Sequence, residues 1–239
     1  MATDAPLLAW AEAPPAPAID GSELHLWRIH APSGDDDATR GWTVLGASER
    51  RRALAFRDAH VAAAFIHTRA GLRGILSRYV ACDPASLPLD EGADGRPLLR
   101  GGDGPGLAFS TSRSGASGLV ALAARGKLGV DIERVPGPDA GDDLPWSLVR
   151  EHAPGALLRD VPPGQEDDET FCVAWTRLEA YAKACSGGLA GLAAQQPVDD
   201  PDCLVRSFRV SADLIGSVVA EGRGARVLHA FDAPSPARS

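Results

Sequence analysis

The chain of 239 residues suffices for one large domain or two small ones, and its 44% hydrophobic content predicts a globular fold rather than a disordered chain. A formal net charge of −8 argues against general nucleic-acid binding, so any anionic ligand must meet a local cluster of positive charge. No apolar run is long enough to cross a bilayer, and we expect no membrane partner.

The N-terminus and the cysteines indicate where the protein acts. Residues 1–19 form a leader rich in Pro and Ala that lacks the basic start and apolar core of a signal peptide. The cysteines show no metal-type or redox CxxC spacing, so we expect free thiols in a reducing cytoplasm. They are Cys82, Cys172, Cys185 and Cys203.

The first half of the chain alternates strand and helix. Residues 24–29 alternate as a strand does, and 48–80 carry an apolar stripe that predicts one long helix. Two short strands, 107–110 and 118–123, flank a Ser/Gly loop, and residues 124–127 are interpreted as a hinge.

The second half presents elements in a similar order. A strand is predicted at 128–135, a short helix at 146–158 interrupted by Pro154, the clearest helix at 170–185, and strands at 205–210 and 225–231. These patterns indicate a mixed α/β (α+β) fold with two related halves. We place the N-terminal half at 20–125 and the C-terminal half at 126–239.

The segment from Gly129 to Glu133 (GVDIE) combines a strand pattern with two carboxylates. Residues two apart in a strand face the same way, so Asp131 and Glu133 share one face while Val130 and Ile132 pack on the other. A solvated strand face would explain this pattern. A site for a hard cation such as Mg²⁺, which takes oxygen ligands, would also explain it.

A second pair of charges lies on the helix predicted at 170–185. Glu179 and Lys183 are four residues apart and share a helix face, where they could form a simple stabilising ion pair. Because Lys127 and Lys183 are the only lysines in an Arg-rich chain, Lys183 is more informative than an ordinary surface lysine. Asp131, Glu133 and Glu179 together could hold one Mg²⁺, with Lys183 neutralising a leaving phosphate oxygen.

Four blocks in order resemble the signature of the 4′-phosphopantetheinyl transferases, which reads approximately GKP, FNxSHSG, GIDIE and W[ST]xKEAxxK. Here they are Gly95–Pro97 (GRP), Phe109–Gly115 (FSTSRSG), Gly129–Glu133 (GVDIE) and Trp175–Lys183 (WTRLEAYAK). The resemblance covers roughly residues 45–190 and is closest to the larger, surfactin-synthetase-activating type.

The resemblance implies two similar α/β subdomains related by a pseudo-twofold axis, with coenzyme A bound at an active site between them. It implies Mg²⁺ (Mn²⁺ as an option) as cofactor, an acyl or peptidyl carrier protein as partner, and a monomer. Asp131, Glu133 and Glu179 match the metal ligands, and Glu179 and Lys183 the catalytic groups. The coenzyme A-binding positions are Arg52, Gly95, Arg96, Pro97, Ser112, Arg113, Asp131 and Lys183.

Two positions depart from the family pattern. Arg113 replaces the histidine of the second block; it can bind phosphate but cannot shuttle protons near neutral pH. Leu178 replaces a lysine and falls on the apolar stripe of its helix. Arg113 leaves open an alternative, a non-catalytic relative that binds coenzyme A or a carrier protein.

Other patterns indicate no site. The histidines show no ligand-like spacing, Gly101–Gly106 is not followed by the Lys-Ser/Thr of a P-loop, and Asp35–Asp37 is interpreted as a solvated loop. Ser110, Ser112 and Ser114 do not form the GxSxG turn of serine hydrolases.

Overall fold

The structure is a computed structural model that describes residues 5–32, 36–92, 95–100, 107–137, 144–162, 167–185, 202–222 and 226–234. Its strands are β1 (Glu23–Ile29), β2 (Leu89–Glu91), β3 (Pro97–Leu99), β4 (Ala108–Ser114), β5 (Ser117–Ala123), β6 (Leu128–Arg134), β7 (Cys203–Ser211), β8 (Leu214–Glu221) and β9 (Val227–Asp232). Its α-helices are α1 (Asp36–Val44), α2 (Ala47–Ala55), α3 (Ala59–Val80), α4 (Trp146–His152) and α5 (Asp168–Ala184). The mixed α/β fold is confirmed.

Two parts of the chain repeat one topology. In the first, α3 connects β1 to the β4–β5 hairpin, and β5 lies between β4 and β1. In the second, α5 connects β6 to the β7–β8 hairpin, and β8 lies between β7 and β6. β9 breaks the symmetry because it pairs in parallel with β1 and completes the first sheet. The boundary drawn between residues 125 and 126 stays a prediction.

The two sheets pack face to face between α3 and α5. Alternate residues of both sheets, such as Leu26 of β1 and Val130 of β6, belong to one buried cluster. The opposite face of the first sheet packs on α3 through residues such as Trp27 and Leu72. The second sheet packs on α5. Because successive side chains of a strand point to opposite faces, each sheet packs on the other sheet with one face and on a helix with the other. The result is four layers in the order α3, first sheet, second sheet and α5.

The region predicted as one helix from 48 to 80 is two helices, α2 and α3. Phe56 has extended backbone angles and ends α2. Asp58 then caps α3 by accepting hydrogen bonds from the backbone N–H groups of His60 and Val61. The prediction of one helix was wrong here because the Asp58 cap was not recognised. The helix α1 and the strands β2, β3 and β8 were not predicted from the sequence.

The N-terminal segment packs against strands from both repeats. Its backbone pairs with that of β7, through Leu8 N–H to Arg209 O (3.2 Å), and with that of β9, through Ala11 N–H to Ala230 O (2.9 Å). Ala5 is buried. The described residues of the predicted leader are thus a packed part of the fold rather than a loose extension.

The helix interruption at Pro154 is confirmed, since α4 ends at His152 and a 3₁₀ turn follows at Gly155–Leu158. In the described part of the chain, no helix has the length and apolarity needed to span a membrane. The Gly101–Gly106 run lies outside the described residues.

Candidate active site

β6 presents its two carboxylates on the face that packs under α5. Val130 and Ile132 are fully buried in the cluster between the two sheets, so Asp131 and Glu133 point to the opposite side, as predicted. Asp131 is 3% exposed, whereas Glu133 is half-buried. Strand alternation therefore sets the direction of both side chains, and the position of β6 beside β4 buries them to different extents.

Alternate serines of β4 fasten this strand to β6. Ser110 Oγ accepts the Val130 N–H (3.1 Å), and Ser114 Oγ accepts the Arg134 N–H (3.1 Å). Ser112 donates to Asp131 Oδ1 at 2.7 Å. Because β4 and β6 belong to different sheets, these hydroxyl groups take the place of strand pairing where the two repeats meet. Ser114 also donates to Glu133 Oε2 (3.1 Å), so the same serines orient both carboxylates.

Gly129 allows α5 to cross β6 at very close range. A Cβ atom on Gly129 would overlap the carbonyl oxygen of Ala180 and lie 2.7 Å from the Ala184 nitrogen, well inside contact distance. Only a residue without a side chain permits this approach of two backbones. The crossing point is adjacent to Glu179 and lies between it and Lys183 along α5, so it places both against β6.

Lys183 reaches into the centre of the site with three hydrogen bonds. Its ammonium group donates to Asp131 Oδ1 (2.7 Å), Ser112 Oγ (3.0 Å) and the Val130 carbonyl oxygen (3.1 Å). These contacts use all three donors of the ammonium group. Lys183 therefore pairs with Asp131 on β6 and is not simply the i+4 partner of Glu179.

The carboxylates of the site carry negative charge that the nearby positive groups of the described residues do not fully compensate. Burial raises the pKa of Glu179, and the charge of Asp131 raises it further against the opposing effect of Lys183. Burial also raises the pKa of Glu133, with a further rise from Asp131. The second carboxylate oxygen of Asp131, Oδ2, is buried without a hydrogen-bond partner. These are the electrostatic features of a cation site, because a bound cation would compensate the charges and the unpartnered oxygen.

The ligand atoms of Asp131, Glu133 and Glu179 do not all lie within 4.8 Å of one another. In the described part of the chain, the one set of three ligand groups within 4.8 Å of one another lies elsewhere, at Glu23, His25 and His229. The residue types at Asp131, Glu133 and Glu179 fit Mg²⁺, which prefers oxygen ligands. Their ligand role stays a prediction, and binding of one common ion would require these side chains to come closer together.

Two adjoining cavities open beside Lys183 and Ser112, the two residues that bond Asp131 Oδ1. One, of about 350 Å³, is lined by Arg96, Pro97 and Lys183; the other, of about 290 Å³, is lined by Arg52, Gly95, Arg96, Pro97, Ser112 and Arg113. Every residue predicted to bind coenzyme A except Asp131 thus lines one or both cavities. Their binding roles stay predictions.

Contacts around Arg96 explain how distant segments meet in this cleft. Arg96 donates to the backbone carbonyl of Lys183 (2.8 Å) and so caps the C-terminal end of α5. Arg52, on α2, donates to the Gly95 carbonyl (3.2 Å) and pairs with Glu91. Gly95 has a φ of +79°, which glycine adopts without strain. The β2–β3 turn is therefore fixed between α2 and α5.

Arg69, which was not predicted from the sequence as a site residue, also lines the second cavity. Its guanidinium lies 5.2 Å above the ring of Phe65. Phe65, Arg69, Leu72 and Leu76 share one face of α3 at helical spacing. The sequence signal that could have identified Arg69 is an arginine within an otherwise apolar helix stripe.

Comparison with known proteins identifies the family. The chain is 31% identical over 188 residues to the 4′-phosphopantetheinyl transferase HetI of Nostoc sp. strain PCC 7120, a match that covers 77% of each chain. The chain belongs to the 4′-phosphopantetheinyl transferase family. It is also 27% identical over 150 residues, 62% of this chain and 59% of the relative, to slr0495 of Synechocystis sp. strain PCC 6803, which is provisionally named for the same activity. No protein-family model matches the chain.

The two departures of this transferase from the family pattern have different structural settings. Leu178 is fully buried in the cluster around α5, so it is a core residue. Arg113 is exposed at the end of β4, donates to the Gly115 carbonyl (3.3 Å) and lines the second cavity. Arg113 is thus in a position to meet an anionic ligand.

Proposed function

We propose that this transferase moves 4′-phosphopantetheine from coenzyme A to a serine of an apo acyl or peptidyl carrier protein, in a Mg²⁺-dependent reaction that releases adenosine 3′,5′-bisphosphate. The observation that carries the proposal is the cluster of Asp131, Lys183 and Ser112, flanked by Glu133 and Glu179. It adjoins a cleft lined by arginines in a chain whose net charge is −8.

The cleft has the charge and size for a nucleotide with phosphates. Arg52, Arg69, Arg96 and Arg113 line the second cavity, and Lys183 lines the first. Guanidinium groups bind phosphate through charge-assisted hydrogen bonds. We place the phosphates of coenzyme A near Arg96, Ser112, Arg113 and Lys183, and the 3′-phosphate towards Arg96 and Arg52.

The reaction we propose is displacement at phosphorus. The serine oxygen of the carrier forms a bond to the β-phosphorus of coenzyme A, and the bond from that phosphorus to the oxygen bridging the two phosphates breaks. The serine proton passes to Glu179, directly or through water, because a carboxylate that a bound Mg²⁺ would keep ionised can accept it. Lys183 neutralises the charge on the leaving oxygen.

A bound Mg²⁺ would stabilise the charge of the phosphates during transfer. Asp131 is the anchoring ligand in this proposal because its Oδ2 is buried and unpartnered while its Oδ1 is fixed by Ser112 and Lys183. Glu133 and Glu179 complete the ligand set; Mn²⁺, which takes the same ligand types, is the alternative ion.

The carrier is proposed to dock beside α4, between β6 and α5 in the chain. Of the apolar side chains in this segment, Trp146, Val149 and Leu157 are buried in the cluster around α5 and are core residues, and Leu158 is partly buried against the same cluster. Leu148 is 42% exposed and remains available for a contact.

We propose that the protein is a monomer of the larger, surfactin-synthetase-activating type, because one chain already contains both repeats. We also propose that it acts in the cytoplasm.

The direct test is to incubate the protein with coenzyme A, Mg²⁺ and several apo-carrier proteins and to measure intact carrier mass. We expect one carrier to gain a single phosphopantetheine group, with no gain when EDTA removes the metal. Binding of coenzyme A without modification of any carrier, in Mg²⁺ or Mn²⁺, would favour the non-catalytic relative that Arg113 leaves open.

Arg113→Ala should raise the KM for coenzyme A about tenfold and change kcat little. Arg113 offers charge and hydrogen bonds to phosphate, but it has no proton that it can exchange near neutral pH. Steady-state kinetics with varied coenzyme A measures both constants. Arg125→Ala is the matched control, because Arg125 is an exposed arginine that is not among the described residues lining either cavity. A large fall in kcat with unchanged KM would instead show that Arg113 acts mainly by stabilising the transition state.

A further inference from the structure

Strands β1 and β9 bring two histidines and a glutamate together, away from the carboxylates of β6 and α5. Glu23 and His25 are two residues apart on β1 and so share one face of the sheet. β9 pairs in parallel with β1 so that His229 lies directly opposite His25. All three side chains therefore project from the same face, next to the C-terminal turn of α3.

The spacing of these groups matches that of metal ligands. His25 Nε2 lies 3.6 Å from Glu23 Oε2, and His229 Nε2 lies 3.4 Å from Glu23 Oε1. Two ligands of a tetrahedral Zn²⁺, each about 2.0–2.2 Å from the metal, are about 3.3–3.6 Å apart. One ligand atom from each residue can be chosen so that all three lie within 4.8 Å of one another. The glutamate thus stands between two imidazoles at ligand spacing.

Neighbouring groups hold two of the three side chains in place. His25 Nδ1 is 2.7 Å from the Tyr79 hydroxyl group, which also accepts a hydrogen bond from Trp27 Nε1 (2.8 Å). A proton on Nδ1 leaves Nε2 with a lone pair directed at Glu23. Glu23 Oε2 accepts the Asp20 N–H at 3.0 Å. Metal-binding histidines and carboxylates characteristically have such supporting hydrogen bonds.

The chemical states of the ligands and the access to them also fit. Burial lowers the pKa of His25, against the raising effect of Glu23, which favours the neutral imidazole that a metal ion requires. The His25 side chain is 4% exposed, whereas those of Glu23 and His229 are 26% and 40% exposed. One side is therefore open for an ion to enter with a water molecule as fourth ligand.

We propose that Glu23, His25 and His229 form a second metal site, which takes a divalent transition-metal ion of the Zn²⁺ type. Imidazole ligands favour Zn²⁺ over Mg²⁺, whose preferred ligands are oxygens such as those proposed on β6 and α5. The ion joins β1 near one end of the chain to β9 near the other, so it stabilises the attachment of β9 to the first sheet.

The test is a Zn²⁺ titration of the untagged, metal-free protein by calorimetry in millimolar Mg²⁺, which occupies oxygen-only sites. We expect wild type to bind Zn²⁺, and both His229→Ala and Glu23→Gln to weaken that binding at least tenfold. His60→Ala, which removes an exposed histidine at the start of α3, is the matched control and should bind as wild type does.

Thermal unfolding gives a second measurement. A 100-fold excess of Zn²⁺ over its Kd should raise the folded-to-unfolded ratio of wild type about 100-fold, and this stabilisation should be lost in His229→Ala. Equal Zn²⁺ affinity in wild type and both variants would overturn the proposal, since the ion would then be held elsewhere, for example by cysteines. No Zn²⁺ binding in wild type would overturn it too and leave ordinary His–Glu ion pairs. Neither result depends on carrier modification.

Discussion

Glu179→Gln should lower the rate of carrier modification by roughly 10²–10⁴-fold, and excess Mg²⁺ should not restore it. The amide keeps an oxygen for the metal but cannot accept the serine proton. Burial and the charge of Asp131 already raise the pKa of this carboxyl, so it is a better base than an exposed glutamate when it is ionised. The measurement is initial rate against Mg²⁺ concentration.

Asp131→Asn is the matched control because it makes the same change at a proposed ligand that is not the base. An asparagine oxygen can still accept from Ser112 and Lys183, so the local packing is retained. We expect this variant to bind Mg²⁺ more weakly, so that its rate is low at ordinary Mg²⁺ concentrations and is partly restored at high Mg²⁺. Full recovery of Glu179→Gln at high Mg²⁺ would show that Glu179 is only a ligand and that the base lies elsewhere.

Gly129→Ala should destabilise the protein by more than about 4 kcal/mol or prevent folding, an unusually large effect for one methyl group. The added Cβ would overlap the Ala180 carbonyl oxygen, and backbone cannot rotate away as a side chain can. Relief requires α5 to move off β6, which would also separate Lys183 from Asp131. Denaturant unfolding of the purified variant, or its yield as soluble protein, measures the effect.

Gly74→Ala provides the same chemical change with the opposite expectation. Gly74 lies within α3, and a Cβ there would meet nothing within 4 Å. Alanine favours a helix over glycine by about 0.5–1 kcal/mol, so this variant should be more stable than wild type. If Gly129→Ala unfolds at the same denaturant concentration as wild type, the crossing of α5 over β6 is looser than described.

The features of the site that depend on local periodicity could be predicted from the sequence alone. Alternation in β6 directed Asp131 and Glu133 to one face, and the spacing of four on α5 placed Glu179 near Lys183. The four ordered motifs indicated the transferase family, which comparison with HetI then confirmed. These predictions succeeded because strand and helix periods are fixed by the backbone, whatever the rest of the fold.

The extent of the elements was less well determined. Nothing in the apolar stripe of residues 48–80 separates α2 from α3, because the break depends on one capping aspartate, Asp58, and on an extended Phe56. Leu178, by contrast, was correctly suspected to be core from its place on the stripe of α5. Burial patterns can thus be predicted from sequence more reliably than the points where helices begin and end.

The contacts between residues far apart in the chain could be known only from the folded structure. Lys183 pairs with Asp131 on β6 and is not only a neighbour of Glu179 on its own helix. Serine hydroxyl groups of β4 accept hydrogen bonds from the backbone of β6. Strand β9 pairs with β1 and so brings His229 beside His25. The reason for a glycine at position 129 becomes clear only from the backbone of α5 that crosses it. Such contacts join residues between 19 and more than 200 positions apart in the chain, and a local pattern carries no information about which distant surface will cover it.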